Sequence, residues 1–271
     1  MTQAQTPGKK NGGGRLVITL LCAYLVLPLA FTFLYSIFSS WNEVLPTGIT
    51  LKYYAQIFSD SQFLMSIGRT ILISLAAVGI CAVTVLLILY VVTAYHPHLD
   101  KYLQVLCTIP YAINGVIIAI SVLSLYADAP APLNNRILMM TATYCVVILP
   151  YMYQGIRNSL RAVNAACLLE AAQILGADRF TAFFRVIVPN ILSGVTVSAM
   201  LSLAIVFGDF VVANTLGGNY YQTAQMYLYR ALFKSGQLSS AIVIILFLAT
   251  LLISGAVFYA KKSGGQREEK N

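Results

Sequence analysis

Six long runs without a charged residue constrain the fold of this chain more than any other feature of its sequence. They cover residues 16–42, 70–95, 102–127, 137–156, 186–208 and 235–260. Each run is at least as long as the roughly 20 helical residues that cross a hydrocarbon core of about 30 Å. With 59% apolar and 10% charged residues, the composition also lies outside the range of soluble proteins. We therefore predict an all-α integral membrane protein with six transmembrane helices.

Helices are expected rather than a barrel, because none of the runs shows the alternation of a barrel strand. Pro110, Pro150 and Pro189 lie in or beside the runs, so neighbouring helices or water must compensate the backbone there. The run 16–42 is too long for the apolar part of a signal peptide and is followed by no clear cleavage site. We predict that it is an uncleaved first span.

An even number of spans places both ends of the chain on the same side of the membrane. Under this topology, the side with the termini carries the basic residues Lys9, Lys10, Arg15, Lys101, Arg157, Arg161, Arg179, Arg185, Lys261, Lys262, Arg267 and Lys270. The opposite side carries only Lys52, Arg69, Arg136, Arg230 and Lys234. Basic loops stay in the cytoplasm, so both termini are predicted to be cytoplasmic. The net charge of +8 follows from this topology, and we expect no nucleic-acid partner.

The domain organisation follows from the same pattern. We predict a basic cytoplasmic tail over 1–15, a six-helix transmembrane domain over 16–260 and a second cytoplasmic tail over 261–271. The five cysteines show neither a disulfide framework nor metal-ligand spacing. His96 and His98 flank a proline in a predicted surface turn. We expect no metal and no cofactor.

Two segments on the predicted outer side leave alternatives open. The aromatic residues between 41 and 63 suit either a membrane-interface belt or a docking site for an external partner. They are Trp41, Tyr53, Tyr54 and Phe58. The segment 211–236 is too polar at its start to span the membrane, and we expect an outer loop or a lid.

The connection 157–187 is the one long loop on the predicted cytoplasmic side. Loops longer than about 12–15 residues are normally functional or carry their own structure. Asn164 is predicted to cap a helix over 165–175, which Gly176 ends. Asp178 is predicted to cap a second short helix. The apolar side of that helix is formed by Phe180, Phe183, Phe184 and Ile187.

A recognisable spacing lies within this connection. Residues 170–172 read Glu-Ala-Ala, Gly176 follows after three residues, and Val186, Val188 and Pro189 follow after nine more. The pattern resembles the inner-loop signature of binding-protein-dependent ABC importer permeases. That signature reads Glu-Ala-Ala, three residues, Gly, nine residues, Ile, any residue, Leu-Pro. The two valines keep the branched apolar character of Ile and Leu.

The resemblance implies a permease subunit of an ATP-driven solute importer, forming half of the translocation pathway in a bacterial cytoplasmic (inner) membrane. Its implied partners are a dimer of ATP-binding cassette subunits, a second permease subunit expected to be a different chain, and an extracytoplasmic solute-binding protein. In such importers the loop between the fourth and fifth spans is a coupling helix that fits a groove on the ATP-binding subunit. The coupling residues implied here are Glu170, Ala171, Ala172, Leu175, Gly176, Ala177, Phe183 and Pro189.

The residue types of this loop are consistent with a docking role. Small residues allow a partner to approach the helix backbone, and Glu170 could pair with a basic residue of that partner. Leu169, Leu175 and Phe183 are predicted to fill an apolar cleft. No glycine-rich segment ends in the lysine and serine of a P-loop. We therefore expect that this chain is not an enzyme and that a partner subunit hydrolyses ATP.

Candidate residues of the substrate pathway are polar groups in or beside the spans. Asp209 follows Pro189 by 20 residues, or about 30 Å of helix, and so lies at the outer end of the fifth span. It either lines the pathway or is a capping acid paired with Arg230 or Lys234. Asn114 either lines the pathway or makes a helix–helix hydrogen bond. Arg230 itself suits a substrate contact, a contact with the binding protein, or a membrane anchor.

The solute class follows only from resemblance. Residues 208–212 read Gly-Asp-Phe-Val-Val and resemble the acidic-Phe-Val stretch of permeases in the branch that imports polyamines, phosphonates, thiamine and iron. Gly208 replaces the first of two adjacent acids common there. A small polar solute such as a polyamine or an aminophosphonate is implied. The alternative, an ion-coupled secondary transporter or channel subunit, would need buried charged relays that the spans lack.

Overall fold

The computed structural model describes residues 12–40 and 47–268, which form helices and one short pair of strands. The helices are α1 Gly12–Ile37, α2 Lys52–Ser59, α3 Ser61–Ala94, α4 Asp100–Thr108, α5 Gly115–Tyr126, α6 Arg136–Ala162, α7 Ala165–Ile174, α8 Arg179–Thr181, α9 Val188–Gly208, α10 Ala224–Leu232 and α11 Gly236–Glu268. The strands are β1 Phe38–Ser40 and β2 Thr47–Ile49. The predictions for residues 1–11, Trp41 and Lys270 fall outside the described residues.

Five helical segments in the described ranges are long and apolar enough to cross a membrane. They are Val17–Ile37, Ser61–Ala94, Arg136–Ala162, Arg179–Gly208 and Gly236–Gly255. A sixth span results if the bent pair Pro97–Ala112 and Gly115–Tyr126 is one broken span. The predicted all-α membrane fold is confirmed.

The third predicted span is broken. Its two halves meet at 94°, so the run 102–127 is divided between two helices. Pro110 lies in a 3₁₀ turn and has no N–H to continue the helical ladder. Ile113 is extended, and the side chain of Asn114 then caps a new helix by accepting from the N–H of Val116 at 3.0 Å. A proline followed by a capping asparagine stops one helix and starts the next.

The chain divides into two compact units. The smaller unit comprises the described residues up to Ser59 together with Arg230–Leu246. The larger unit contains Asp60–Tyr229 and the chain from Phe247 onward. Its core is formed where α3, α6 and α9 pack against one another.

Aromatic hydroxyl groups hold the smaller unit together. Its two strands pair antiparallel after α1. The hydroxyl groups of Tyr54 and Ser36 lie 2.6 Å apart, and the Tyr53 hydroxyl donates to the carbonyl of Ser39 at 2.9 Å. Phe58 remains exposed. The hydroxyl groups of Tyr53 and Tyr54 therefore form hydrogen bonds within the smaller unit. These bonds do not decide between a membrane-interface belt and a docking site for the rings.

Two reciprocal glycine–serine contacts bring α6 and α9 close together. A Cβ atom built on Gly155 of α6 would lie 2.8 Å from the Cβ atom of Ser198 of α9. A Cβ atom on Gly194 of α9 would lie 2.7 Å from that of Ser159 of α6. Each serine hydroxyl bonds back to its own helix, so the crossing leaves neither hydroxyl unpaired. Small residues of this kind allow helices to approach closely in membranes.

A π-helical turn carries the chain through Pro189 without a break. In the turn Ala182–Ile187, the N–H of Val188 reaches the carbonyl of Phe183, five residues back. The wider turn accommodates the missing N–H of the proline. As a result, Arg179–Gly208 forms one long segment. The separate short helix predicted after Asp178 is the first turn of this segment.

Candidate functional site

The candidate site is the connection between α6 and α9, which contains α7. Asn164 precedes α7 with a left-handed backbone (φ 49°, ψ 58°), and its side chain makes no cap bond. The predicted Asn164 cap is therefore wrong. The residue is used for its tolerance of positive φ, which turns the chain sharply between the two helices. The predicted helix itself is present as Ala165–Ile174.

Gly176 ends α7 as predicted. It has a φ of +90°, and its N–H donates to the carbonyl of Gln173 at 2.9 Å. The N–H of Ala177 donates to the carbonyl of Ala172 at 3.0 Å. These two bonds form a Schellman motif, in which a glycine at positive φ satisfies the last helical carbonyls.

Asp178 begins the next helical segment as predicted. Its carboxylate accepts from the backbone N–H of Thr181 at 3.3 Å. The hydrogen bonds to Thr181 lower the pKa of Asp178 below its ordinary value. The side chain is thus a charged cap at the positive end of a helix.

The outward face of α7 combines one acid with two large apolar side chains. Glu170 is exposed, while Ile174 and Leu175 are 87% and 88% exposed. Adjacent exposed apolar side chains outside the membrane-spanning segments suit an interaction surface. The remaining predicted coupling residues in or directly after α7 are the exposed Ala171 and Gly176 and the half-buried Ala177, while the exposed Pro189 lies in α9.

The inward face of α7 differs from the prediction. Leu169 and Ala172 are only 5% and 8% exposed, and Phe183 is fully buried. The prediction that Leu169 and Phe183 fill a partner's cleft is wrong, because this chain already buries both side chains. Ala172 likewise packs inward instead of facing a partner. These three residues pack the connection against the rest of the larger unit, and the sequence contains no signal that separates them from Leu175.

An aromatic cluster lies beneath this connection. The ring of Tyr90 in α3 lies 5.8, 5.2 and 5.8 Å from the rings of Phe180, Phe183 and Phe184. Phe180 and Phe184 are themselves 4.6 Å apart. Tilted and edge-on contacts at these distances stabilise aromatic pairs. The apolar side that the sequence predicted after Asp178 therefore packs against Tyr90 of α3.

Sequence reasoning missed an ion cluster near the start of α7. The carboxylate of Asp100 accepts from Arg157 Nε at 2.6 Å and Nη2 at 2.5 Å, and from Arg161 Nη2 at 3.1 Å. The Tyr153 hydroxyl donates to the same carboxylate at 3.3 Å. Bidentate pairing of this kind is geometrically specific. It ties the beginning of α4 to the end of α6, which a linear sequence could not indicate.

Asp209 lies directly after α9, where it was predicted. Its Oδ2 accepts from the Tyr144 hydroxyl at 3.1 Å and from the N–H groups of Val212 and Ala213 at 2.9 and 3.3 Å. Its Oδ1 takes part in none of these three bonds. One oxygen atom is thus committed to the fold. The pairings with Arg230 or Lys234 and the pathway role stay predictions.

The segment that follows Asp209 is attached to α3. The Tyr221 hydroxyl donates to the carbonyl of Arg69 at 2.9 Å, and the N–H of Ala224 donates to Thr70 Oγ1 at 2.9 Å. The Tyr227 hydroxyl donates to Asp60 at 2.6 Å, and burial together with this acid raises the pKa of Tyr227 to about 12. Several bonds therefore hold residues 221–227 in place.

The two other pathway candidates lie in different elements. Asn114 is exposed at the break between α4 and α5, where its side-chain oxygen caps α5. This cap replaces the helix–helix hydrogen bond considered from the sequence. Arg230 is exposed in the last turn of α10. The structure does not bring Asn114 and Asp209 into a shared hydrogen bond.

Comparison with known proteins gives a consistent result. Residues 91–261 match the family model for the binding-protein-dependent transport system inner membrane component. The chain is 22% identical to a protein of Salmonella typhimurium named as the 2-aminoethylphosphonate transport system permease PhnV, covering 97% of this chain and 98% of the relative. It is 24% identical to the spermidine/putrescine transport system permease protein PotC of Escherichia coli, covering 92% and 95%.

Solved structures share the fold. A chain of a bacterial alginate ABC transporter, crystallised in complex with a pentasaccharide-bound periplasmic protein, superposes with a TM-score of 0.69. That likeness covers 91% of each chain at 18% identity. A chain in a second structure, of a bacterial ABC transporter involved in the import of the acidic polysaccharide alginate, gives 0.64 at 17% identity, covering 94% of this chain and 99% of that chain.

Proposed function

Because this chain belongs to the family of binding-protein-dependent transport system inner membrane components, we propose that α7 couples it to the ATP-binding subunit of an importer. The observation that carries the proposal is the division of α7 into two faces. Leu169 and Ala172 anchor the helix to the larger unit, while Glu170 and Leu175 point outward. A force applied to the outward face is therefore delivered to the packed core.

The assembly needs further subunits. The chain has no P-loop, so we assign ATP hydrolysis to a dimer of ATP-binding cassette subunits. A second permease subunit, expected to be a different chain, completes the pathway, and an extracytoplasmic solute-binding protein delivers the solute. From the positive-inside pattern, we infer that the spans lie in a bacterial inner membrane with α7 and both termini on its cytoplasmic side.

The solute class is supported by Asp209 together with the named relatives. 2-Aminoethylphosphonate, spermidine and putrescine all carry a primary amine that is protonated at neutral pH. Oδ2 of Asp209 is held by Tyr144 and two backbone amides, which leaves Oδ1 able to accept from such an ammonium group. We therefore propose a small polar solute with a cationic amine, either a polyamine or an aminophosphonate.

The test of the importer is affinity purification of this chain from its native membrane, followed by identification of every protein that co-purifies. An ATPase, a second permease and a binding protein are expected. Leu175→Asp should reduce recovery of the ATPase and abolish uptake of labelled spermidine or 2-aminoethylphosphonate. Leu51→Asp is the matched control, because Leu51 is a 66% exposed leucine outside α7. Recovery of the chain without an ATPase, or normal uptake by Leu175→Asp, would overturn the proposal.

A further inference from the structure

The last turn of α3 is closed by a side chain from the connection that follows α7. Arg179 Nη1 donates to the carbonyl of Ala94 at 2.7 Å. The last carbonyls of a helix lack partners within the helix, and the partial negative charge there favours a cation. A guanidinium group satisfies both conditions with one contact. From the sequence alone, Arg179 contributes only to the topological charge bias.

A second contact orients the guanidinium group. The Arg179 Cζ atom lies 4.9 Å from the centre of the Tyr95 ring, within the range of a cation–π interaction. The Tyr95 hydroxyl in turn lies 3.3 Å from the hydroxyl of Tyr90. Arg179 is therefore held between a carbonyl and an aromatic face at the end of α3. A lysine could reproduce the charge, but it could not reproduce the planar stacking.

These contacts give α7 a third attachment. The chain itself connects α7 to α6 through Asn164 and to α9 through Gly176. Arg179 adds a link to α3, whose contacting residue Ala94 is 85 positions away in sequence. The aromatic contacts of Tyr90 support the same junction, but apolar contacts are non-directional. The charge-assisted hydrogen bond of Arg179 has a defined direction and would resist sliding.

We propose that Arg179 is a positioning residue that makes α3 move together with α7. The inference rests on the proposed function, in which an ATP-binding subunit displaces α7. With the link intact, the displacement reaches α3, α6 and α9 as one packed group. Without it, α3 is connected to α7 through the aromatic cluster and packing alone.

The test is the coupling ratio of the purified complex in lipid. This ratio is the ATPase rate with solute-loaded binding protein divided by the rate without it. Arg179→Ala should lower the ratio about fivefold or more. A factor of about five is the lower end of the range of typical coupling between two sites. Arg179→Lys should restore part of it, because the ammonium group can still reach the Ala94 carbonyl. Lys101→Ala is the matched control, since it removes an exposed positive charge outside this junction.

A second variant keeps the test decisive if Arg179→Ala fails to assemble. Tyr95→Leu removes the aromatic face, keeps an apolar side chain and should also lower the ratio, and the two substitutions should be non-additive in a double variant. If loaded binding protein stimulates the ATPase of the wild-type complex and stimulates the assembled Arg179→Ala and Tyr95→Leu complexes equally, the inference is overturned and the proposed function stands. A wild-type complex without stimulation would overturn the proposed function and the inference with it.

Discussion

Tyr144 in α6 and Asp209 after α9 are joined by a hydrogen bond of 3.1 Å between residues 65 positions apart. The same carboxylate oxygen also accepts from the N–H groups of Val212 and Ala213. Oδ2 of Asp209 is thus a structural junction, while Oδ1 takes part in none of these bonds. The roles of the two oxygen atoms can be separated by substitution.

Asp209→Asn should change transport more than it changes folding. The amide oxygen can still accept from Tyr144 and the two backbone N–H groups, so the complex should assemble. Loss of the negative charge should raise the KM for a cationic amine about tenfold, corresponding to about 1.4 kcal/mol. The measurement is uptake of labelled spermidine and 2-aminoethylphosphonate across a range of concentrations. Unchanged kinetics would leave Asp209 with its structural role only.

Tyr144→Phe should have the opposite profile. It removes one donor to Asp209 while the negative charge remains. A hydrogen bond to a charged group contributes about 1.5–3 kcal/mol, so the thermal midpoint of the purified chain should fall. The KM should stay close to that of the wild type. A raised KM without loss of thermal stability would contradict this assignment of roles.

Gly155→Leu should prevent normal packing of α6 on α9. A Cβ atom there would already lie 2.8 Å from the Cβ atom of Ser198, closer than real Cβ contacts. Overpacking typically costs about 1–3 kcal/mol. The measurement is the yield of monodisperse protein in mild detergent. Gly79→Leu in α3 is the matched control, because a Cβ atom there meets nothing within 4 Å. Equal yields of the two variants would contradict the close crossing.

Arg157→Met should destabilise the chain more than Arg161→Met. Both arginines bind Asp100, but their side chains are 8% and 61% exposed. Removing Arg157 takes away the bidentate partner of Asp100, but this carboxylate is 29% exposed and keeps Arg161, so the cost should stay below the about 3–5 kcal/mol of an uncompensated buried charge. Removing an exposed partner costs about 0–1 kcal/mol. Thermal unfolding monitored by size-exclusion chromatography would compare the stability of the two variants. An equal loss of stability would contradict the greater importance of Arg157 in the cluster.

Asp178→Ala should weaken the start of the segment Arg179–Gly208, whereas Asp178→Asn should largely preserve it. Asparagine keeps an oxygen acceptor for Thr181, and alanine keeps none. The lowered pKa of Asp178 means that the charged cap stabilises the fold above its unfolded pKa. This contribution should be lost as the pH falls through the lower pKa of the folded state. Limited proteolysis of the connection at neutral and acidic pH would measure both effects.

The features that depend on local chemistry could be predicted from the amino-acid sequence. Runs without charge predicted the membrane helices, because hydrocarbon excludes charged groups over a fixed thickness. Gly176 and Asp178 predicted where helices end and begin, because a positive φ and a carboxylate cap act within a few residues. The Glu-Ala-Ala spacing at 170–172 indicated the family for a similar reason, since it lies within one short segment.

The side of each helix that packs against another element could not be predicted in this way, because it depends on the packed fold. Leu169 and Leu175 are the same residue type in one connection, yet one is buried and the other is 88% exposed. The Arg179 bond to Ala94 likewise joins residues far apart in sequence. Burial and long-range hydrogen bonds depend on the neighbours that packing supplies. A side chain therefore carries no local signal of the partner it will meet.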